Sequence, residues 1–209
     1  IAAHPDDETL GVGGTVAKAV KEGAKAELCI VTAGYEPWIS RKELDARRKE
    51  ALAAGKILGF SGTHFLGLPA VGLDKMPKKD LNDALSKIIG KVKPDMVYIT
   101  SDTDINMDHR IVYEATMVAA RPRPGCRVKK LLAYELPSST EWGAMMLGTP
   151  FMPNVFVDIS GTMETKLKAM KAYKLELKEF PHPRSIENIR AMATNRGAAA
   201  GFRAAEAFK

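Results

Sequence analysis

Ile1-Ala2-Ala3-His4-Pro5-Asp6-Asp7-Glu8 begins the chain, and its reading decides the fold. Ile1–Ala3 is short and apolar, the tail of a strand. It runs directly into an imidazole and three carboxylates. Such a cluster is costly to bury unless a cation sits among the carboxylates. His4 and Asp7 supply a neutral nitrogen and a charged oxygen, both suited to zinc. Asp6 is left beside any water the metal binds.

Working outward, Thr9–Glu22 carries apolar Leu10, Val12, Val16, Ala17 and Val20, which predicts a helix closed by Gly23. Lys25–Thr32 follows as a strand. Ser40 with Glu43 has capping-box spacing and starts a helix over Arg41–Leu58, stopped by Gly59. Thr63–Leu68 and Met96–Thr100 are strands, with a helix over Lys78–Val92 between them. Asp108–Ala120 is helical. Lys130–Glu135 and Asn154–Ile159 are strands, and Gly143–Pro153 is an ordered loop. Ser160–Lys178 is expected as one long helix, and Ile186–Ala199 as the last. This alternation implies an α/β, Rossmann-like three-layer sandwich: a mostly parallel sheet with helices on both faces. Ligands of such sheets lie outside the carboxyl ends of the strands. His4–Glu8 and Ser101–Arg110 both fall there.

The 209 residues, 45% hydrophobic, suit a single domain spanning 1–209. The net charge is +6, but Lys and Arg are interspersed with Asp and Glu, so the basic balance is read as solvated helix faces and not a nucleic-acid surface. It is compatible with a phosphate- or nucleotide-linked substrate. Cys29 and Cys126 form no metal or disulfide pattern. No stretch reaches membrane-spanning length and no signal peptide is visible, so a cytoplasmic location is the default expectation. The chain lacks an initial Met, and both ends read as trimmed. Gly11-Val12-Gly13-Gly14 invites a dinucleotide reading, but the third glycine of that pattern falls at Val16 and the acidic cluster ahead repels pyrophosphate.

Asp102–Arg110 is the second polar cluster. His109 at a helix start, with His4 and Asp7, makes two nitrogens and one oxygen with an open fourth position, the pattern of a catalytic zinc. Arg47, Asn106 and Asp104 are the expected substrate contacts. Asp104 and Asp108 are equally readable as groups that orient a ligand. His64, beside Phe65, is read as structural, and Glu8 as a supporting carboxylate.

His4-Pro5-Asp6-Asp7-Glu8, with Asp108-His109-Arg110 a hundred residues on, resembles the PIG-L/LmbE-type zinc-dependent N-deacetylases. The likeness extends to Arg47-Arg48-Lys49-Glu50-Ala51, Leu66-Gly67-Leu68-Pro69, Ser138–Trp142, His182-Pro183-Arg184-Ser185 and Ala205–Phe208. It implies removal of an acetyl group from an N-acetylglucosamine-type sugar or glycoconjugate. Zn2+ would be held by His4, Asp7 and His109, with Asp6 as general base. It also implies assemblies such as trimers or hexamers. The chain departs from the family at two places. Asn106 stands where many relatives have a histidine, and Ala70 where they have an aspartate. Asn106 donates a hydrogen bond but delivers no proton. The proton for the leaving amine is therefore expected from Asp6 itself or from His182, in a proline-bounded loop that reaches this site or a neighbouring subunit's. An amidase on a larger acyl group or thiol conjugate, and a non-catalytic metal-containing sugar-binding protein, stay open as alternatives.

Overall fold

The computed structural model describes all 209 residues. In chain order the elements are α1 (Asp7–Lys21), β1 (Glu27–Ala33), α2 (Arg41–Leu58), β2 (Gly62–Pro69), α3 (Lys78–Val92), β3 (Met96–Thr100), α4 (Met107–Ala119), β4 (Lys130–Tyr134), α5 (Thr140–Leu147), β5 (Val155–Asp158), α6 (Met163–Met170), α7 (Ile186–Ala200) and β6 (Ala205–Phe208).

β1 and β2 pair in parallel, and a second sheet runs β3-β4-β6-β5. The leading residues join the two. Ala2 bonds the β1 backbone through its N–H to Cys29 O at 2.8 Å and its carbonyl from Val31 N at 2.9 Å. On its other side the Ile1 amine donates to Tyr98 O of β3 at 2.7 Å. The chain start therefore lies in the middle of the sheet system, which places His4 at the carboxyl edge between β1 and β3.

Alternation along the strands separates two cores. Ala2, Leu28 and Ile30 face a core with Leu10 of α1, Ala51 of α2, Leu167 of α6 and Ile189 of α7. Ala3, Cys29 and Val31 face the opposite core, with Leu81 and Leu85 of α3 and Val112 and Ala115 of α4. Helices thus cover both faces, as expected. α2 has the expected bounds: Ser40 Oγ accepts from Glu43 N at 3.2 Å, and Gly59 closes it at φ 88°. No helix is long and apolar enough to cross a membrane.

Two local expectations are corrected, and the sheet gains one antiparallel strand: β6, from the chain end, pairs antiparallel with both β4 and β5, beside the parallel β1-β2 and β3-β4 pairs. All four β6 residues are buried, so no alternation marks them as a strand. The segment around Gly143 is helical, because the Glu141 carboxylate accepts from Ser138 N at 2.6 Å and Ser139 N at 3.0 Å and starts α5. The long helix expected over Ser160–Lys178 is only α6. After Met170 the chain turns so that Tyr173 enters the core and donates to Glu8 at 2.6 Å.

Candidate metal centre

The turn from the leading strand into α1 divides the acidic motif. Asp6 has φ 103°, the left-handed region that non-glycine residues rarely occupy. Holding it there costs on the order of 1–3 kcal/mol, and such strain persists where surrounding contacts enforce it. Here the contacts are local: Thr9 N and Leu10 N donate to Asp6 O at 3.0 and 2.9 Å, and His4 N donates to Asp7 Oδ2 at 2.8 Å. Glu8 takes no part in the centre. It is buried, accepts from Thr9 Oγ1 at 2.7 Å and Tyr173 OH at 2.6 Å, and anchors the turn.

His4, Asp7 and His109 converge. His4 Nδ1 lies 3.1 Å from His109 Nε2 and 3.6 Å from Asp7 Oδ2, and His109 Nε2 lies 3.5 Å from Asp7 Oδ2. Three donors on a tetrahedral ion at about 2.0–2.1 Å form a triangle with edges of about 3.3–3.4 Å. The observed triangle matches, and a cation satisfies all three donors where one proton bridges only two.

The far ring nitrogens complete the test. His4 Nε2 is 3.0 Å from Asp108 Oδ2, and His109 Nδ1 is 3.1 Å from Asp104 Oδ2. Each carboxylate keeps the proton on its side of the ring and leaves the lone pair aimed inward, as carboxylate–histidine–metal arrangements do. The residues present therefore fit a divalent ion. Without a cation among them, burial opposes charge on His4, but its hydrogen bonds to Asp108 and Asp7 prevail and raise its pKa to about 10. For Asp7, burial pushes upward, yet the charge of His109 and the bond from His4 hold it well below the usual carboxylate range. Solvent reaches the triad past His4, whose side chain is 21% exposed while those of Asp7 and His109 are buried.

Asp104 is fully buried. It accepts from Asn106 N at 2.8 Å, from Thr140 Oγ1 at 2.7 Å and from Ser139 Oγ. Its Oδ2 also lies 3.1 Å behind His109 Nδ1, where it can orient the ring. Asn106 caps α4, its Oδ1 accepting from Asp108 N at 2.9 Å. Arg47 is held by ion pairs to Glu43 and Glu176, which occupy its guanidinium. His182 is exposed, its Nδ1 accepting from Arg184 N at 3.0 Å.

The residue that this loop brings to the centre is Arg184. Its Nη1 donates to Asp6 Oδ2 at 2.9 Å and to Glu176 Oε2 at 3.1 Å, and its Nε donates to Ser138 Oγ at 3.0 Å. Sequence reasoning chose the histidine two positions earlier. The missed signal was charge: a buried Asp6 that is not a ligand needs a cation, and Arg184 stands in the same motif. Burial and the neighbouring Asp7, Glu176 and Glu8 raise the Asp6 pKa well above its ordinary value, against the opposing charge of Arg184.

This sequence and geometry have counterparts. Residues 1–120 match the PIG-L family, described as GlcNAc-PI de-N-acetylase. The chain belongs to the PIG-L family. An uncharacterized deacetylase of Escherichia coli, YaiS, is 32% identical over 83% of this chain and 88% of its own length. The diacetylchitobiose deacetylase of Thermococcus kodakarensis is 28% identical over 100% of this chain and 80% of its own. Among solved structures, the conserved protein TT1542 of Thermus thermophilus superposes with a TM-score of 0.78 at 28% identity, covering 99% of this chain and 90% of that one. The last two cover this chain almost end to end, so the likeness extends past residue 120.

Proposed function

We propose that this PIG-L protein is a zinc-dependent hydrolase whose one domain, residues 1–209, removes the N-acetyl group from an N-acetylglucosamine-type sugar or glycoconjugate. One observation carries the reading. Two histidines and one aspartate form an open triad with a carboxylate behind each histidine, beside a fourth carboxylate, Asp6, that is not needed as a ligand. A structural site closes its coordination, whereas a catalytic one leaves a position free. The deacetylase relatives supply the reaction class and the amino-sugar substrate.

A zinc ion held by His4, Asp7 and His109 supplies Lewis acidity toward water and the amide carbonyl. The chain's own groups do the rest. Asp6 accepts the proton of the attacking water, and its raised pKa suits a base that must also hand a proton on. Arg184 fixes Asp6 Oδ2 and balances its charge through that exchange. Asp108 and Asp104 keep the two rings in register. Asp6 adjoins the triad within this chain and His182 does not, which favours Asp6 over His182 as the group that returns the proton to the leaving amine.

The test is acetate release from N-acetylglucosamine and diacetylchitobiose by the zinc-loaded protein, abolished by a chelator and restored by zinc. Asp6→Asn should abolish turnover while zinc stays bound. Turnover near that of the unsubstituted protein would remove Asp6 as the base. Bound zinc with no turnover on any acylated amino sugar would leave a metal-containing sugar-binding protein. Turnover confined to larger acyl groups would make it an amidase.

A further inference from the structure

A cavity of about 210 Å³ lies between α2 and the carboxyl ends of β1 and β2. Thr32 and Gly67 form its strand side, and Pro5, between the ligand His4 and the base Asp6, forms its wall toward the metal centre. From α2 come Arg41, Leu44, Asp45 and Arg48, at the i, i+3, i+4, i+7 spacing that puts one face of a helix against the space. Its size suits a single sugar ring or a charged substituent, below the roughly 300–1,000 Å³ of pockets for larger ligands.

The charges facing it are uneven. Arg47 also borders the cavity, but Glu43 and Glu176 already pair it. Arg41 and Arg48 have no carboxylate within 4 Å, and Asp45 is the one acid in the lining. The Arg48 guanidinium sits over the Phe65 ring, 4.1 Å from its centroid, which fixes the plane and leaves the edge N–H groups free. Arg41 occupies the first turn of α2, where the helix dipole also favours an anion. Two forked donors without partners, on one helical stripe beside the reacting loop, match phosphate or carboxylate geometry better than a neutral polyol.

We propose that this crevice is a subsite for an anionic group, a phosphate or carboxylate, carried by the substrate beyond its acetamide, with Arg41 and Arg48 as the recognition pair. The proposal rests on the deacetylase reading for the position of the sugar, but anion binding can be measured without turnover.

The experiment uses the zinc-loaded protein at low salt with N-acetylglucosamine, its 1-phosphate, its 6-phosphate and N-acetylmuramic acid as the carboxylate arm. We expect kcat/KM for at least one anionic sugar to exceed that for the neutral sugar by about tenfold or more, and the preference to shrink as salt screens it. In Arg41→Gln/Arg48→Gln the ratio should fall close to one. Whichever arm is preferred identifies the anion. Calorimetry with glucosamine 1-phosphate, glucosamine 6-phosphate and glucosamine runs in parallel. If no sugar is turned over but a phosphorylated one binds more tightly than glucosamine through the arginine pair, the subsite stands and the deacetylase reading falls. Equal handling of charged and neutral sugars, or a preference that survives the double substitution, overturns the subsite and leaves the deacetylase reading intact.

Discussion

Asp104→Asn should weaken zinc binding without unfolding the protein, although Asp104 is not a ligand. Its Oδ1 accepts from Asn106 N at 2.8 Å, and its Oδ2 accepts from Thr140 Oγ1 at 2.7 Å and faces His109 Nδ1 at 3.1 Å. Asparagine can keep its oxygen on the Asn106 side, which turns its NH2 toward Nδ1–H of His109. Two donors then oppose each other. The relief is to move the ring proton to Nε2, the nitrogen that points at His4 and Asp7. That tautomer has no lone pair for the metal. Loss of such an orienting partner costs about 10- to 100-fold in metal affinity, or about 1.4–2.7 kcal/mol. The assay is zinc competition against a chelator of known affinity near neutral pH, with circular dichroism as the folding control. Asp102→Asn is the matched control, since Asp102 pairs with Lys209 at the sheet end and should leave Kd alone. An Asp104→Asn Kd equal to that of the unsubstituted protein would refute the orienting role.

Without zinc, His4 has a folded pKa of about 10 against the ordinary 6.5. Its stabilisation is therefore full below pH 6.5 and lost as pH rises through about 10, at up to roughly 1.4 kcal/mol per unit. Thermal unfolding across that range should show the decline in chelator-treated protein and a smaller one with zinc, which displaces the proton; parallel curves would contradict the assignment. Arg184→Met should lower kcat by roughly a hundredfold through a misplaced Asp6, with zinc content unchanged. Arg184→Lys should restore part of it, and steady-state kinetics with metal analysis would show whether it does. At Gly143 a Cβ would stand 1.7 Å from Thr103 O and 3.1 Å from the Asp104 carbonyl carbon. Gly143→Ala should destabilise the protein by about 1–3 kcal/mol through overpacking and weaken zinc binding by shifting Asp104. Denaturant unfolding with zinc titration checks both effects together.

Much of this was legible in the chain because it is local. The strand-to-acid transition at Ala3-His4, the cap at Ser40 and the stop at Gly59 are set by neighbours within a turn, and each has its expected place. The illegible parts depend on distant partners. The Ala205–Phe208 strand is too short and too uniformly buried to show a period. α5 starts on a local bond set from Glu141, but its seat depends on Gly143 fitting against Thr103, forty residues earlier. Tyr173 ends α6 early because Glu8, far away in sequence, takes its hydroxyl.

The chain by itself determined the donor types, the alternation that places His4–Glu8 and the Asp108–Arg110 segment at one sheet edge, and the departure at Asn106. Only the tertiary structure decided which carboxylate does what. Asp7 joins the two histidines and Asp6, equally buried, turns to Arg184 because of one left-handed turn. Asp104 and Asp108 each take the back of one histidine, and Arg184 rather than His182 meets Asp6. Composition and spacing fix which groups are near an edge. Their roles depend on directions a few ångströms long, which arise only when segments a hundred or more residues apart pack together.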